Sequence, residues 1–478
     1  MTDILMHITA FREIFHASVS SVPLHLHLAK SHIPSFERSM ASVFDEFDSL
    51  NEIEEYVQSL LPQKRGYPLW SPKPGDWLPP AFREEGVRIG DVGIVTEMGQ
   101  FDYLFNTCLP ADDPVNQGRV PHDFKQLQGV DIHDTVWSQE FGPGSVVASN
   151  SSSFERSEQG GNSGASGVPE ELGTGLSLRS PSTSGALLIL PEGGKSTNSQ
   201  HLIKFRQHAA ECAESWYDFV NGPLARGVHN DAIYLVTGCD MTRAWGVASF
   251  TDAPPDSVSL DFGPRVRNGN YEYWFRTSDF AASSSGTSHE RKQSGCVFLR
   301  GFKLAIRSAP FTPSHSRFSV SYISKFTAHG LSPSRVIHSP AIMWQWLSHY
   351  VRLSVFSRVP PEPQASLDAP DYVNEPDYTT CKLFHPSDAI NQYILSEHEE
   401  VNVAITHDDD WAFVVRDDEE DIPDDQELFN RIRNFLKISR LGQYAFAYFA
   451  LESASISSDT NRADISSAME DDDPSMYQ

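Results

Sequence analysis

The stretch from Asp231 to Phe250, DAIYLVTGCDMTRAWGVASF, constrains the fold of this chain more than any other. Ile233 to Val236 is an unbroken apolar run. A strand without polar alternation is covered on both faces, which places this one in the middle of a sheet. Cys239 to Arg243 reads as a short polar turn, after which Trp245 to Phe250 resumes the β-rich pattern. Two such runs around a turn predict adjacent strands in a hairpin.

The flanking segments supply the rest of the core. Ala186 to Leu190 is a short apolar strand, stopped by Pro191-Glu192-Gly193-Gly194. A helix over residues 200–220 carries Leu202, Phe205, Ala209, Cys212, Trp216 and Phe219 at steps of three and four, with Asn198 or Ser199 as cap. Strand, helix and buried strand predict a right-handed βαβ crossover. Upstream, VRIGDVGIVT and QFDYLFN flank Glu97-Met98-Gly99 and predict a hairpin, with a bulge where Gly90 and Gly93 bracket Asp91-Val92. Downstream, strand follows strand. In CVFLRGFKLAIR the apolar parity flips at Gly301, the sequence mark of a β-bulge. The predicted class is α+β: a mixed sheet with a crossover and an antiparallel meander, plus a small C-terminal α/β unit.

Around this core (66–310) the reading places an N-terminal segment (1–65), with a helix from Ser35 to about Leu61. A Pro- and Trp-rich run (62–80) should string Trp70 and Trp77 across a core face. The Ser/Gly-rich stretch 145–184 and Ala281 to Ser288 read as mobile loops. Residues 311–382 hold a helix and a Pro-rich connector. The C-terminal unit (383–450) starts with a helix capped by Ser387, then strands VNVAI and WAFVV, then a helix from about Asp425 to Ile438. Residues 451–478 read as an acidic disordered tail.

Charge and cysteine usage exclude several function classes. The net charge is -27, and from Asp368 onward 26 acids face 7 bases. A field of that sign repels phosphate backbones and anionic lipid, so no nucleic-acid or membrane partner is expected. No apolar run approaches the length of a transmembrane helix. Five widely spaced cysteines form neither a zinc pattern nor a disulfide framework, which predicts reduced thiols and a cytoplasmic location.

Two clusters could carry chemistry. Thr406-His407-Asp408-Asp409-Asp410 follows the VNVAI strand, and oxygen-rich ligands beyond a strand's carboxyl end suit Mg²⁺ or Ca²⁺, with His407, Asp408 and Asp410 as ligands. Acid runs are more often solvated turns, and the EF-hand pattern fails because Phe413 stands at its glycine position. Cys239 and Asp240 at the predicted turn could supply a nucleophile, although an inert buried thiol is the commoner case. PEGGKS lacks the first glycine of a phosphate loop, HEEVN lacks the second histidine of a zinc-protease helix, and no GxSxG or GxGxxG occurs. No cofactor is assigned.

The ordered pieces YPLW, EEGVRIGDVGIVT with FDYLFN, GALLILPEGG, SWYDFVN with IYLVTGCDMTRAWGVASF, CVFLRGFKLAIR, and HPSDAINQYIL with VAITHDDDW span Gly66 to about Phe449. Together they resemble a large family of uncharacterised proteins from mushroom-forming (basidiomycete) fungi. The resemblance implies a soluble protein of fungal origin and one recurring architecture, and it carries no established activity. Taken together, the sequence predicts an intracellular protein that binds another protein. A metal-dependent hydrolase using His407, Asp408 and Asp410 is the alternative.

Overall fold

The computed structural model describes residues 51–130, 135–149, 154–158, 175–267, 270–287, 292–307, 383–417, 419, 422–423 and 425–449. The helix expected at 341–356, the Pro-rich connector, residues 35–50 and the tail lie outside them.

The chain is α+β, with mixed sheets, and two long strands carry it. β10 (Ile233–Thr242) is buried along its whole length, and β15 (Gly295–Ile306) pairs antiparallel with it. Each changes its other partner at mid-length. β10 pairs with β2 (Asp91–Val95) over Ile233 to Leu235 and with β9 (Gly194–Ser199) from Gly238 onward. β15 pairs with β1 (Tyr67–Pro68) at Phe298 and Leu299 and with β16 (Val403–His407) from Phe302 onward. β3 (Phe101–Asn106) extends the sheet beyond β2, and β4 (Thr135–Phe141) beyond β9. At the far edge, β18 (Tyr444–Phe449) runs parallel to β16 and carries β17 (Leu436–Leu441) antiparallel. The C-terminal unit is therefore continuous with the core sheet.

A second sheet orders as β14 (Ala281–Thr287), β11 (Ala244–Phe250), β8 (Gly185–Leu190) and β5 (Ser145–Ala148). A third orders as β13 (Asn270–Thr277), β12 (Val258–Arg267), β7 (Leu176–Ser180) and β6 (Glu155–Glu158). They share a core that includes Leu187, Ile189, Leu178, Leu260 and Phe262. Gly246 permits this approach, because a Cβ there would lie 2.5 Å from the Phe262 ring.

Helices close both faces of the large sheet. α1 (51–60), α2 (Pro80–Glu85), α4 (Pro386–Glu397) and α6 (Asp425–Phe435) contribute Tyr56, Leu60, Phe82, Ile390, Ile394, Leu428 and Ile432 to one core. α3 (Leu202–Asn221) places Phe205, Ala209, Trp216 and Val220 on the other face, against Ile233, Leu235, Phe302 and Leu304. The five-residue α5 (Asp408–Ala412) follows β16.

Several expectations are corrected. β10 and β11 do not form a hairpin: only Arg243 separates them, and they belong to different sheets, so the stretch joins layers. The expected βαβ crossover does not form: its first strand, β8, lies in a different sheet from β10, and β9, which directly precedes α3, pairs antiparallel with β10; β16 and β18 pair parallel. The cap of α3 is His201, without a side-chain cap bond, because Asn198 and Ser199 belong to β9. The bulge near Gly301 is present, but the extra residue is Thr237 on the partner strand. The bulge beside Gly93 is present too, but its extra residue is Leu104 on β3. Within 145–184 and 281–288, alternation in short runs such as Leu176 and Leu178 is enough to add strands. Residues 159–174 lie outside the description. Trp70 packs on the core, whereas Trp77 is 63% exposed. WAFVV is not a strand, because α5 begins at Asp408. The last helix stops at Phe435, and Ile438 belongs to β17.

Candidate functional site

The place where β10 and β15 change partners gathers buried polar side chains. Gly301 sits there with its Cα so close to β10 that a Cβ would lie 2.1 Å from the Leu235 carbonyl oxygen. The Thr237 bulge opposite it turns the Thr237 hydroxyl toward both the Arg300 carbonyl (3.3 Å) and His407 Nε2 (2.8 Å). Backbone splayed by a bulge leaves groups that side chains must satisfy.

Asp408 does this for one side. Its Oδ2 accepts from the Tyr234 hydroxyl and from Gly301 N at 2.9 Å, and its Oδ1 accepts from Trp411 Nε1 at 2.9 Å. His385 Nε2 lies 3.4 Å from Oδ1, with its ring stacked on Tyr67 at 4.7 Å. Burial raises the Asp408 carboxyl above its ordinary range, opposed by His407 and by these hydrogen bonds. Burial likewise holds the Tyr234 phenol protonated, as its donor role requires.

Two histidines act as helix caps beside it. His385 accepts Ser387 N at 3.1 Å and starts α4 in place of the expected Ser387. His407 accepts Asp409 N at 3.1 Å, while Asp410 Oδ2 accepts His407 N at 2.8 Å, a reciprocal capping box. Burial pulls the His407 pKa down, but the neighbouring carboxylates, Asp409 foremost, outweigh it and raise it. Asp410 is pushed up to about 6 by burial, against the pull of His407.

The structure thus brings His407, Asp408 and Asp410 together, and engages them with the protein's own groups. Both ring nitrogens of His407 and both oxygens of Asp408 face donors or acceptors of the fold. Among the described residues, no group of three or more His, Cys, Asp or Glu side chains is placed to hold a metal ion.

Cys239 and Asp240 lie within β10 and not at a turn. Burial pushes the Cys239 thiol up to about 12, which keeps it protonated and a poor nucleophile. Asp240 Oδ1 takes Arg300 Nη2 at 2.6 Å. The same guanidinium reaches Asn198 Oδ1 (2.5 Å), Ser196 Oγ (3.0 Å) and the Arg65 carbonyl (2.7 Å), tying β15 to β10, β9 and the chain before β1. Sequence reading passed over Arg300, although an arginine inside an apolar strand next to a parity flip marks a buried charge needing a partner.

A cleft of about 310 Å³ opens beside Tyr67, Tyr234, Lys303 and His385, walled by Asp102 and Arg226. That volume is at the low end for small-molecule sites. Lys303 pairs with Asp388 at 2.6 Å and Arg226 with Asp102 at 2.9 Å, so both cations are neutralised within the wall.

The β17–β18 hairpin shows a different chemistry. Ala445 and Ala447 point into the core that also holds Ile390, Ile432 and Leu436. Alternation places Tyr444, Phe446 and Tyr448 on the opposite face as a ladder with ring centroids 6.5 and 6.3 Å apart, with Tyr444 packed against the core under α3 and Tyr448 exposed. Arg206 of α3 lies over the Phe446 ring at 3.5 Å, a cation–π contact. Ile203, one turn earlier on α3, is 64% exposed; Leu441 is 53% and Tyr448 40% exposed. The sequence analysis assigns no strand here, because alternation shows that the aromatics share a face but not which face meets the core.

No protein-family model matches the chain, and no curated protein matches it. No helix among the described residues is long and apolar enough to cross a membrane.

Proposed function

We propose that this protein works by binding another protein, and that the outer face of the β17–β18 hairpin is where the partner docks. The observation that supports this reading is the Tyr444–Phe446–Tyr448 ladder at the edge of the large sheet, half-buried at Tyr444 and Phe446 and exposed at Tyr448, with Leu441 exposed on the same face. Contiguous exposed apolar surface marks interaction sites, and aromatics with arginine are the residue types that dominate interface energy. The metal-hydrolase alternative draws no comparable support, because its three residues serve as caps and acceptors within the fold.

The test is partner capture with wild type and with a Leu441→Ser/Tyr448→Ser variant of unchanged melting temperature, followed by binding measurements on the purified pair. The reading expects a partner whose affinity falls at least tenfold in the variant, since interface aromatics are common hot spots. Equal capture by both proteins, or capture of nothing above background, would overturn it.

A further inference from the structure

We infer that the partner at this hairpin is an acidic, extended peptide segment that adds to β17 as a further strand; this rests on the docking reading above. The first support is topological. β17 is the terminal strand of the large sheet among the described residues, and it pairs with β18 on one side only. Such an edge offers a row of backbone donors and acceptors to an incoming strand, the geometry of recognition by strand addition. The second support is charge. From Arg431 to Phe449 the chain carries Arg431, Arg433, Lys437 and Arg440 and no acid, within a protein of net charge -27. Arg431 is neutralised by Glu419 and Glu427. Arg433, which leads into the edge strand, lies 4.0 Å from Glu397, whereas Lys437 and Arg440 belong to that strand and are exposed.

The strand register assigns each side chain a use. Lys437 stands opposite Tyr448, Ser439 opposite Phe446 and Leu441 opposite Tyr444, so Lys437 shares the face of the aromatic ladder. Arg440 is on the other face, paired with Glu400. An added strand would thus meet Lys437, the aromatic ladder and Leu441 on one face, and the solvent-exposed Arg440–Glu400 pair on the other. Cations on an edge normally deter pairing with other strands. Here they also discriminate: a neutral strand gains little, a basic strand is repelled, and an acidic strand carrying alternate apolar residues is accepted.

The test uses three acetylated, fluorophore-labelled octapeptides with the full chain: alternating valine and glutamate, alternating valine and lysine, and the glutamate peptide N-methylated at alternate backbone nitrogens. The glutamate peptide is expected to bind at least tenfold more tightly than either of the others, and to weaken as salt is raised. Its preference over the lysine peptide should disappear in a Lys437→Glu/Arg440→Glu variant, both positions being exposed. Equal affinity for the two charges, or indifference to N-methylation, overturns the inference. If that charge-blind binding is still lost in Leu441→Ser/Tyr448→Ser, the docking reading survives and only the acidic strand falls. Binding by none of the peptides overturns the inference, as does concentration-dependent self-association abolished by Lys437→Glu, which assigns the edge to a second copy.

Discussion

Tyr234, near the start of the central strand, donates its phenolic hydrogen bond to Asp408, 174 residues further along the chain. That bond joins the C-terminal helices to the strand on which the sheet is built. Tyr234→Phe removes the donor and leaves a buried carboxylate with one partner fewer, and it should cost about 1–3 kcal/mol. Asp408→Ala strands the Tyr234 hydroxyl, Trp411 Nε1 and Gly301 N together and should cost more, about 3 kcal/mol or above. Urea unfolding of both single variants and the double variant measures the coupling. A coupling near zero would show that the network does not hold the two regions together.

Arg300→Lys tests the second buried cluster. Lysine keeps the charge but cannot fork to Asp240, Asn198, Ser196 and the Arg65 carbonyl at once. A loss of roughly 3–5 kcal/mol is expected, as for other broken buried pairs. Denaturant melts decide it, and a loss of less than about 1 kcal/mol, typical of a surface ion pair, would contradict the role given to Arg300.

Asp410 should leave a signature in the pH dependence of stability. Its folded pKa is about 6 against an ordinary 3.8, because burial disfavours the carboxylate. Between those values the folded chain holds a proton that the unfolded chain has released. Its contribution to stability is therefore present at the acid end and is lost as pH rises through about 6. Asp410→Asn keeps an acceptor for His407 N and removes the titration. The stability difference, wild type minus variant, should fall between about pH 4 and 6.5 and then level off. Parallel profiles from melting temperatures across that range would refute the assignment.

Mg²⁺ or Ca²⁺ at millimolar concentration should leave the melting temperature unchanged, since ligand binding to the folded state alone would raise it. The groups that would coordinate are engaged by Tyr234, Trp411, Gly301 and Thr237. A rise abolished by Asp410→Asn would restore the metal reading.

Cys108, Cys212, Cys239 and Cys296 are all buried, and burial raises the pKa of each thiol. In the native protein they should react with a thiol reagent only as fast as the fold opens, and in denaturant at once. Mass spectrometry after a native pulse checks this. Rapid native labelling of Cys239 would reopen the case for a nucleophile there.

Much of the fold is legible residue by residue. The apolar run Ile233 to Val236 marks a strand covered on both faces, and the stripe from Leu202 to Phe219 marks α3, because each pattern has a single period that burial enforces. The parity flip at Gly301 locates an irregularity in the strand pairing. The same local patterns fail where two elements compete for one stretch. WAFVV has β-rich composition, but the capping box between His407 and Asp410 starts a helix three residues earlier, at Asp408. Ile438 continues a helical stripe, yet pairing with Ala447 draws it into β17.

What the sequence determined by itself is the identity of the buried strands and helices, since periodic burial is a local property of the chain. Pairing is not local. Only the tertiary structure decided that β10 and β11 part into different sheets, that Thr237 carries the bulge, and that Asp408 meets Tyr234. It also decided which face of YAFAYF turns outward. Hydrophobicity alone would bury the aromatics, but it is Ala445 and Ala447 that join the core with Ile390, Ile432 and Leu436. The opening stretch, read first as a hairpin with a reactive tip, is the buried seam on which both polar clusters converge.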